Sequence, residues 1–522
     1  MDIDEAFAHT FSALLGRTEE KPKLKDFEDY LAEYMLPLAK RKSAISGKEV
    51  TLVSNDYCKS ARFISQDEIR ENKFEPLNIN EIKDIDSILR AIGERMEYAG
   101  NKALGNSAFF KDVDFCVDSF YVTNSCNIQE SKYIDHSWVI RGNSECIFGS
   151  GWMGESKQIV RSVAAYNITR CFESHFIIES SDCYFSYNCA GCSNTLFSFN
   201  QRGSRYVVGN IPLQKDQFLK IKAKLLEEVR EKLMRDKSFP SLFRLIPSVP
   251  GTLPRIEIKE RKEEQNVEKI ERAFRSASKI ILGKELSPLS KFEGWLSRHT
   301  ATVETKKTPF GRDTYLSPEL CFFMKDIDED RFVTNEEAIE LGGLKIDLQK
   351  DEELDLEKVS KKASKIAYYS PGIITGNCQN IIKTPIAVNS VNIFKVFDST
   401  TGKNSAISSL VVNSEYIFGS HRATNSKFCI NCYHSLDLTS CFEMDSCSHC
   451  RESMFCHNSE NLESCMFCFN TKSKRYAIGN VEIGKEAYLA IKERILRKIA
   501  EELERTGEFK YDIYNIGCGG KV

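Results

Sequence analysis

An eight-residue phrase stands twice in this 522-residue chain, as NSECIFGS at 143–150 and as NSEYIFGS at 413–420. Without a gap, the same offset of 270 residues pairs Ser156-Lys157 with Ser426-Lys427, Cys171-Phe172-Glu173 with Cys441-Phe442-Glu443, and RYVVGN (205–210) with RYAIGN (475–480). The chain reads as a tandem duplication, and any fold proposed for one copy must serve the other.

From Ser119 a six-residue rhythm sets in. Serines stand at 119, 125, 131 and 137, then after one extra residue at 144, 150, 156 and 162, and Ser174, Ser180 and Ser186 keep the phase. Three residues after each comes a mostly apolar position, among them Val122, Ile128, Ile134, Ile140, Ile147, Met153, Ile159 and Ile177. Asp, Asn, Glu or Gly often precedes the serine. This is neither a helical period nor simple alternation. A short strand and a corner every six residues is the pattern of a β-solenoid, in which small residues fit tight corners and apolar ones stack inward. Two or three hexads complete a coil on this pattern. The second copy keeps the rhythm with Cys and Ser exchanging, at Ser426 and Cys432 and then in a shifted phase at Ser435, Cys441, Cys447, Ser453, Ser459 and Cys465.

The expected fold class is mixed β with helices: two hexad-repeat β-solenoid modules, each closed by an amphipathic helix. The boundaries are an N-terminal helical segment (1–40), a mixed α/β entry segment (41–110), solenoid 1 (111–210), capping helix 1 (211–235) and a Pro-rich linker with its own helix (236–304). A second entry segment (305–390), solenoid 2 (391–480), capping helix 2 (481–507) and a flexible tail (508–522) complete the chain. The capping helices carry matched apolar faces, Phe218, Ile221, Leu225, Val229 and Leu233 against Tyr488, Ile491, Ile495, Ile499 and Leu503. Ile82, Ile85, Ile88, Leu89 and Ile92 mark a further helix, and Ser65 to Glu68 and Thr334 to Glu337 read as capping boxes.

The run IFGS, Ser-Lys, CFES and CYFSYNCAGCSNTLFSFNQRGSRYVVGN resembles an uncharacterised Cys/Ser-rich solenoid-repeat family of candidate-phyla bacteria and archaea, with zinc-ribbon-associated relatives. The resemblance spans about 140–235 and 410–505. It implies the solenoid and closing helix and brings no established activity. Where that family carries ribbons, Cys58 and Cys321 stand alone, so a ribbon zinc does not carry over.

Composition narrows the function classes. A net charge of −3 supplies no general attraction for nucleic acid or anionic membranes. Neither a secretory signal nor a membrane-spanning apolar run is visible, so a soluble cytoplasmic protein is expected. In that setting the 19 cysteines are expected as thiols or metal ligands rather than disulfides.

Cys-x-x-Cys pairs at Cys189/Cys192, Cys429/Cys432, Cys447/Cys450 and Cys465/Cys468 have a spacing that suits zinc or an iron–sulfur cluster. The duplication argues the other way, because the first copy offers Ile159/Ser162, Ile177/Ser180 and Thr195/Ser198 against the last three cysteine pairs. A metal needs thiolates, whereas a lattice needs only small residues. Cys171 with His175 faces Cys441 with Asp445, an exchange that a general base does not survive. Polar residues held in both copies are Glu145/Glu415, Lys157/Lys427, Arg205/Arg475, Tyr206/Tyr476 and Asn210/Asn480. They mark either structural rungs and fastenings or two equivalent binding surfaces.

The expectation is therefore a non-enzymatic binding or assembly scaffold with a protein partner or a second copy of itself, and with no cofactor favoured. The alternatives are an enzyme with a carbohydrate or acyl substrate in a solenoid groove, and a zinc or iron–sulfur protein using Cys429, Cys432, Cys447, Cys450, Cys465 and Cys468.

Overall fold

The computed structural model describes residues 1–70, 84–93, 96–247, 253–258, 265–349 and 352–518. Ile82 of the expected helix and Pro250 of the expected linker lie outside them. The protein mixes helices with two large, almost wholly parallel sheets, of 16 and 13 strands. Within each, the register advances by 12 residues, as in Glu145↔Lys157↔Thr169 and Glu415↔Lys427↔Thr439. Two hexads therefore separate stacked neighbours. In the second sheet, Lys403–Val412 pairs with both Glu415–Phe418 and His421–Thr424, and both of these pair with Lys427–Leu436, closing a four-strand ring.

The six-residue rhythm has a backbone cause. The residue before each corner serine lies in the left-handed region, as at Asp118, Asn124, Glu130, His136, Asn143, Gly149 and Glu155. Asn, Asp and Gly tolerate that region best. Each serine then closes the corner. The Ser125 hydroxyl donates to the Thr123 carbonyl (2.6 Å) and accepts from the Ser137 amide (3.0 Å). The same relay continues from Ser137 to Ser150, Ser162, Ser174 and Ser186. A hydroxyl that donates backward and accepts from the next rung serves a corner that cannot use its own backbone. The expected inward positions, from Val122 through Ile177, are buried in one continuous column.

Lys215–Asp236 and Lys485–Thr506, each 22 residues long, close the two sheets after the short antiparallel pairs Val208↔Ile211 and Ile478↔Val481. The helix Ile3–Leu15 with the turns Leu24–Phe27 and Glu28–Ala32 packs on the first sheet, where Phe7 meets Phe148 edge-on at 5.2 Å. The expected linker helix is no spacer. Val267–Leu282, followed by Leu289–Phe292 and Glu293–Ser297, repeats this cover on the second sheet, with Phe274 against Phe418 at 5.2 Å. Phe148 and Phe418 belong to the duplicated phrase, and the glycine after each lies under the cover. A Cβ on Gly149 or Gly419 would stand 2.9 Å from the carbonyl oxygen of Leu31 or Leu296. The covers are themselves related in sequence, since Leu24, Phe27, Glu28 and Leu31 match Leu289, Phe292, Glu293 and Leu296 at an offset of 265.

The entry segments are exchanged. The stretch that precedes the first sheet covers the second: Ala99 donates its amide to His457 Nε2 (2.9 Å), and Asn470 donates to the Glu97 carbonyl (2.7 Å). The stretch that precedes the second sheet covers the first, where Asn200 donates to the Tyr368 carbonyl (3.1 Å) and Ile346 to the Gly209 carbonyl (3.0 Å).

Two expectations are corrected. Residues 508–518 are not a frayed tail, because Phe509, Tyr511, Ile513, Tyr514 and Ile516 are buried against the second sheet. The cysteines are not all thiols either, since Cys58 is bonded to Cys518, 460 residues away. Neither fact has a local signature, because the partner surface is supplied by distant chain. Among the described residues no helix is long and apolar enough to cross a membrane.

Candidate functional site

The polar residues shared by both copies fall into two groups. Glu145, Lys157, Glu415 and Lys427 face outward as rungs. Glu145 lies 3.0 Å from Lys132 and 3.9 Å from Lys157, and Glu415 lies 2.8 Å from Lys427. The others fasten the closing turns. Arg205 stacks over Tyr206, which packs on Phe218 of the first closing helix, and Tyr476 packs on Tyr488 of the second. Arg475 pairs with Glu463. Asn210 accepts from the Phe199 amide (2.8 Å) and donates to its carbonyl (3.0 Å), and Asn480 does the same for Phe469 (2.9 and 2.8 Å). Each amide side chain thus stands in for a missing strand.

The cysteines of the second sheet line its interior. In each Cys-x-x-Cys pair the thiols donate to backbone carbonyls: Cys429 to Lys427 and Cys432 to Ile430 (3.6 Å each), Cys447 to Asp445 (3.3 Å), Cys450 to Ser448 (3.2 Å), and Cys465 to Glu463 and Cys468 to Met466 (3.5 Å each). The Cys432, Cys447 and Cys465 amides are held by Ser420, Ser435 and Ser453, so cysteine occupies the serine site of the lattice. Among the described residues no group of three or more His, Cys, Asp or Glu side chains converges as a metal would need.

The densest chemistry lies under the covers. In the first sheet Arg161 is fully buried. It pairs with Glu173, reaches Glu33 at 2.7 Å, donates to the Tyr30 carbonyl and stacks between the Tyr30 and Tyr34 rings at 4.2 and 4.3 Å. Both tyrosine hydroxyls donate to Glu173 at 3.2 Å. Burial pushes the Glu173 carboxyl up while Arg161 pulls it down, and a guanidinium so faced stays charged. Beside it, His175 accepts the Val163 amide at Nδ1 (3.2 Å), and burial holds its pKa well below the ordinary range. Cys171, raised as its possible partner, is pushed up to about 12 by burial, and its sulfur accepts from Ser162.

In the second sheet Asp445 stands where the first has His175. It accepts from His457 Nδ1 (2.8 Å), Tyr57 (3.1 Å) and Tyr514 (3.4 Å). Burial works against ionisation, but His457 and Lys102 hold the Asp445 carboxyl below the usual range. An aspartate that orients a histidine is half of a hydrolytic triad. The other half is blocked, since Nε2 already accepts the Ala99 amide and has no lone pair left for a nucleophile. The first network clamps the N-terminal cover, and the second clamps the exchanged segment. They are invisible in the sequence until the 12-residue register is known, because Arg161/Glu173 and Asp445/His457 are then direct neighbours.

One exposed feature differs between the sheets. Strand Ala108–Val117 opens the first sheet, and among the described residues nothing pairs with its Ala108–Asp112 half on the side away from Phe120. Phe109, Phe110 and Phe120 are 66%, 40% and 39% exposed there. Phe109 stacks on Tyr121 (4.7 Å) and Tyr121 on Tyr133 (5.1 Å). The matching edge of the second sheet, Gln379–Ile382, is covered, because Asn380 exchanges two hydrogen bonds with the backbone of Asn266 (2.7 and 2.9 Å).

No family model matches the chain, and neither a curated protein nor a solved structure is found to be similar to it.

Proposed function

We propose that the protein is a non-enzymatic assembly scaffold made of two β-solenoids, and that the uncovered edge of the first joins it to a second copy of the chain. The observation that carries this reading is the contrast between the edges: Asn380 is tied down, whereas Ala108–Asp112, among the described residues, offers unpaired backbone beside three exposed phenylalanines. Such an edge is a template for strand pairing, and a two-fold arrangement pairs it with itself. The buried networks add support, since the Arg161–Glu173 pair holds the first cover and the Asp445–His457 pair holds the exchanged segment. Analytical ultracentrifugation across a concentration series tests the proposal. The expected result is a species of two chains that Phe109→Lys/Phe110→Lys returns to one chain with its melting temperature unchanged. A wild-type protein that sediments as one chain at every concentration overturns it.

A further inference from the structure

A second surface singles out the first half. The hairpin of Ala39–Lys42 and Glu49–Leu52 leads through 53–57 to Cys58, and beside it opens a cleft of about 600 Å³. Its apolar wall is Tyr57 and Phe63, whose rings meet edge-on at 5.3 Å, together with Cys58. Arg41, Lys42 and Lys59 stand at its rim. Arg41 donates to Asn55 and to the Lys40 carbonyl, and among the described residues no carboxylate lies within ion-pair distance of any of the three cations. Glu49, opposite Lys42 in the hairpin, is taken by Lys40 at 3.0 Å.

The corresponding hairpin in the second half shows what a spent version looks like. There Lys307 is opposite Asp313 and paired with it at 2.6 Å. Cys321 corresponds to Cys58, so Phe322 stands where the first half has Lys59, and the half-buried Phe322 packs against Trp138 at 6.0 Å. One half has neutralised and filled this place, and the other keeps it open and cationic.

The geometry points to a binding site for a small organic phosphate, with the phosphate held by Arg41, Lys42 and Lys59 and an apolar or aromatic group against the exposed edges of Tyr57 and Phe63. Three cations with no carboxylate partner among the described residues match a group carrying up to two negative charges, and guanidinium and ammonium groups are the usual donors to phosphate. A mixed cleft of this size suits a small ligand rather than a chain. The inference is independent of the oligomeric state.

Isothermal titration of the full chain with phenyl phosphate, inorganic phosphate and benzoate separates the parts. Phenyl phosphate is expected to bind most tightly, inorganic phosphate more weakly because it lacks the ring, and benzoate more weakly because it lacks the second charge. Lys59→Glu and Arg41→Gln should each weaken phenyl phosphate by roughly tenfold or more with the melting temperature unchanged. Lys220→Glu, on the first closing helix, should leave binding as it was. Absence of phenyl phosphate binding to the wild-type chain, or equal weakening by Lys220→Glu and Lys59→Glu, overturns the assignment.

Discussion

Arg161 shows how a fully buried charge is held in this fold: a carboxylate one rung away, a second from the cover, a backbone carbonyl, and a tyrosine ring on each face. Removing it strands Glu173. Arg161→Ala is expected to cost about 3–5 kcal/mol in urea denaturation, and Arg161→Met combined with Glu173→Leu to recover most of the loss. A single variant as stable as the wild type would show that the pair is not clamping the cover. His299 carries a second testable charge. It lies 3.3 Å from Asp512 and 3.6 Å from Asp56, and these outweigh the downward push of burial and carry its pKa up to about 9. Glu443, nearby, is pushed up to about 8 by burial and by Asp512. Both groups hold protons more tightly folded than unfolded. The His299 contribution is complete below the ordinary value of 6.5 and is lost as pH rises through about 9, and Glu443 works in the same direction from its ordinary 4.5 to about 8. Stability should fall by on the order of 1–3 kcal/mol between about pH 6 and pH 9.5. His299→Gln should flatten the upper part of that fall, and a profile unchanged by the substitution would refute the assignment.

At the level of elements, the duplicated phrase turns out to be a docking place. Its isoleucine and serines are lattice positions, and its phenylalanine and glycine receive the cover. Phe418→Ala should cost about 3–5 kcal/mol, read by thermal or urea unfolding. Gly419→Ala should also destabilise, because the residue has φ +65° and its Cβ would meet the Asn431 Oδ1 atom as well as the Leu296 carbonyl. If Gly419→Ala were neutral, the cover would not sit where Leu296 places it. Much of this level was legible from sequence: the six-residue rhythm, the inward column from Val122 to Ile177 and both closing helices follow from spacing alone. The cover at 267–297 was harder to see. Its likeness to 3–32 rests on a few residues at a slipped offset, and a helix with one apolar face does not say what it covers.

At the scale of the whole molecule, the exchange of entry segments ties the two sheets together. Ala99 and Tyr57, which precede the first sheet, complete the network of the second, and Tyr368 and Ile346, which precede the second, bond to Asn200 and Gly209 of the first. Nothing in the order of the chain reveals this, since both arrangements bury the same residues. The buried networks escaped notice for the same reason: their partners come from segments hundreds of residues apart, as with Tyr57 and Asp445. Among the described residues the exchange leaves the edge at Ala108–Asp112 without a paired strand, and the scaffold reading depends on it. Amide hydrogen exchange at low and high protein concentration tests that dependence most directly. The account predicts slower exchange of the Phe109 to Lys111 amides as concentration rises, with Gln379–Ile382 unchanged. Equally fast exchange of the Phe109 to Lys111 amides at every concentration would contradict it.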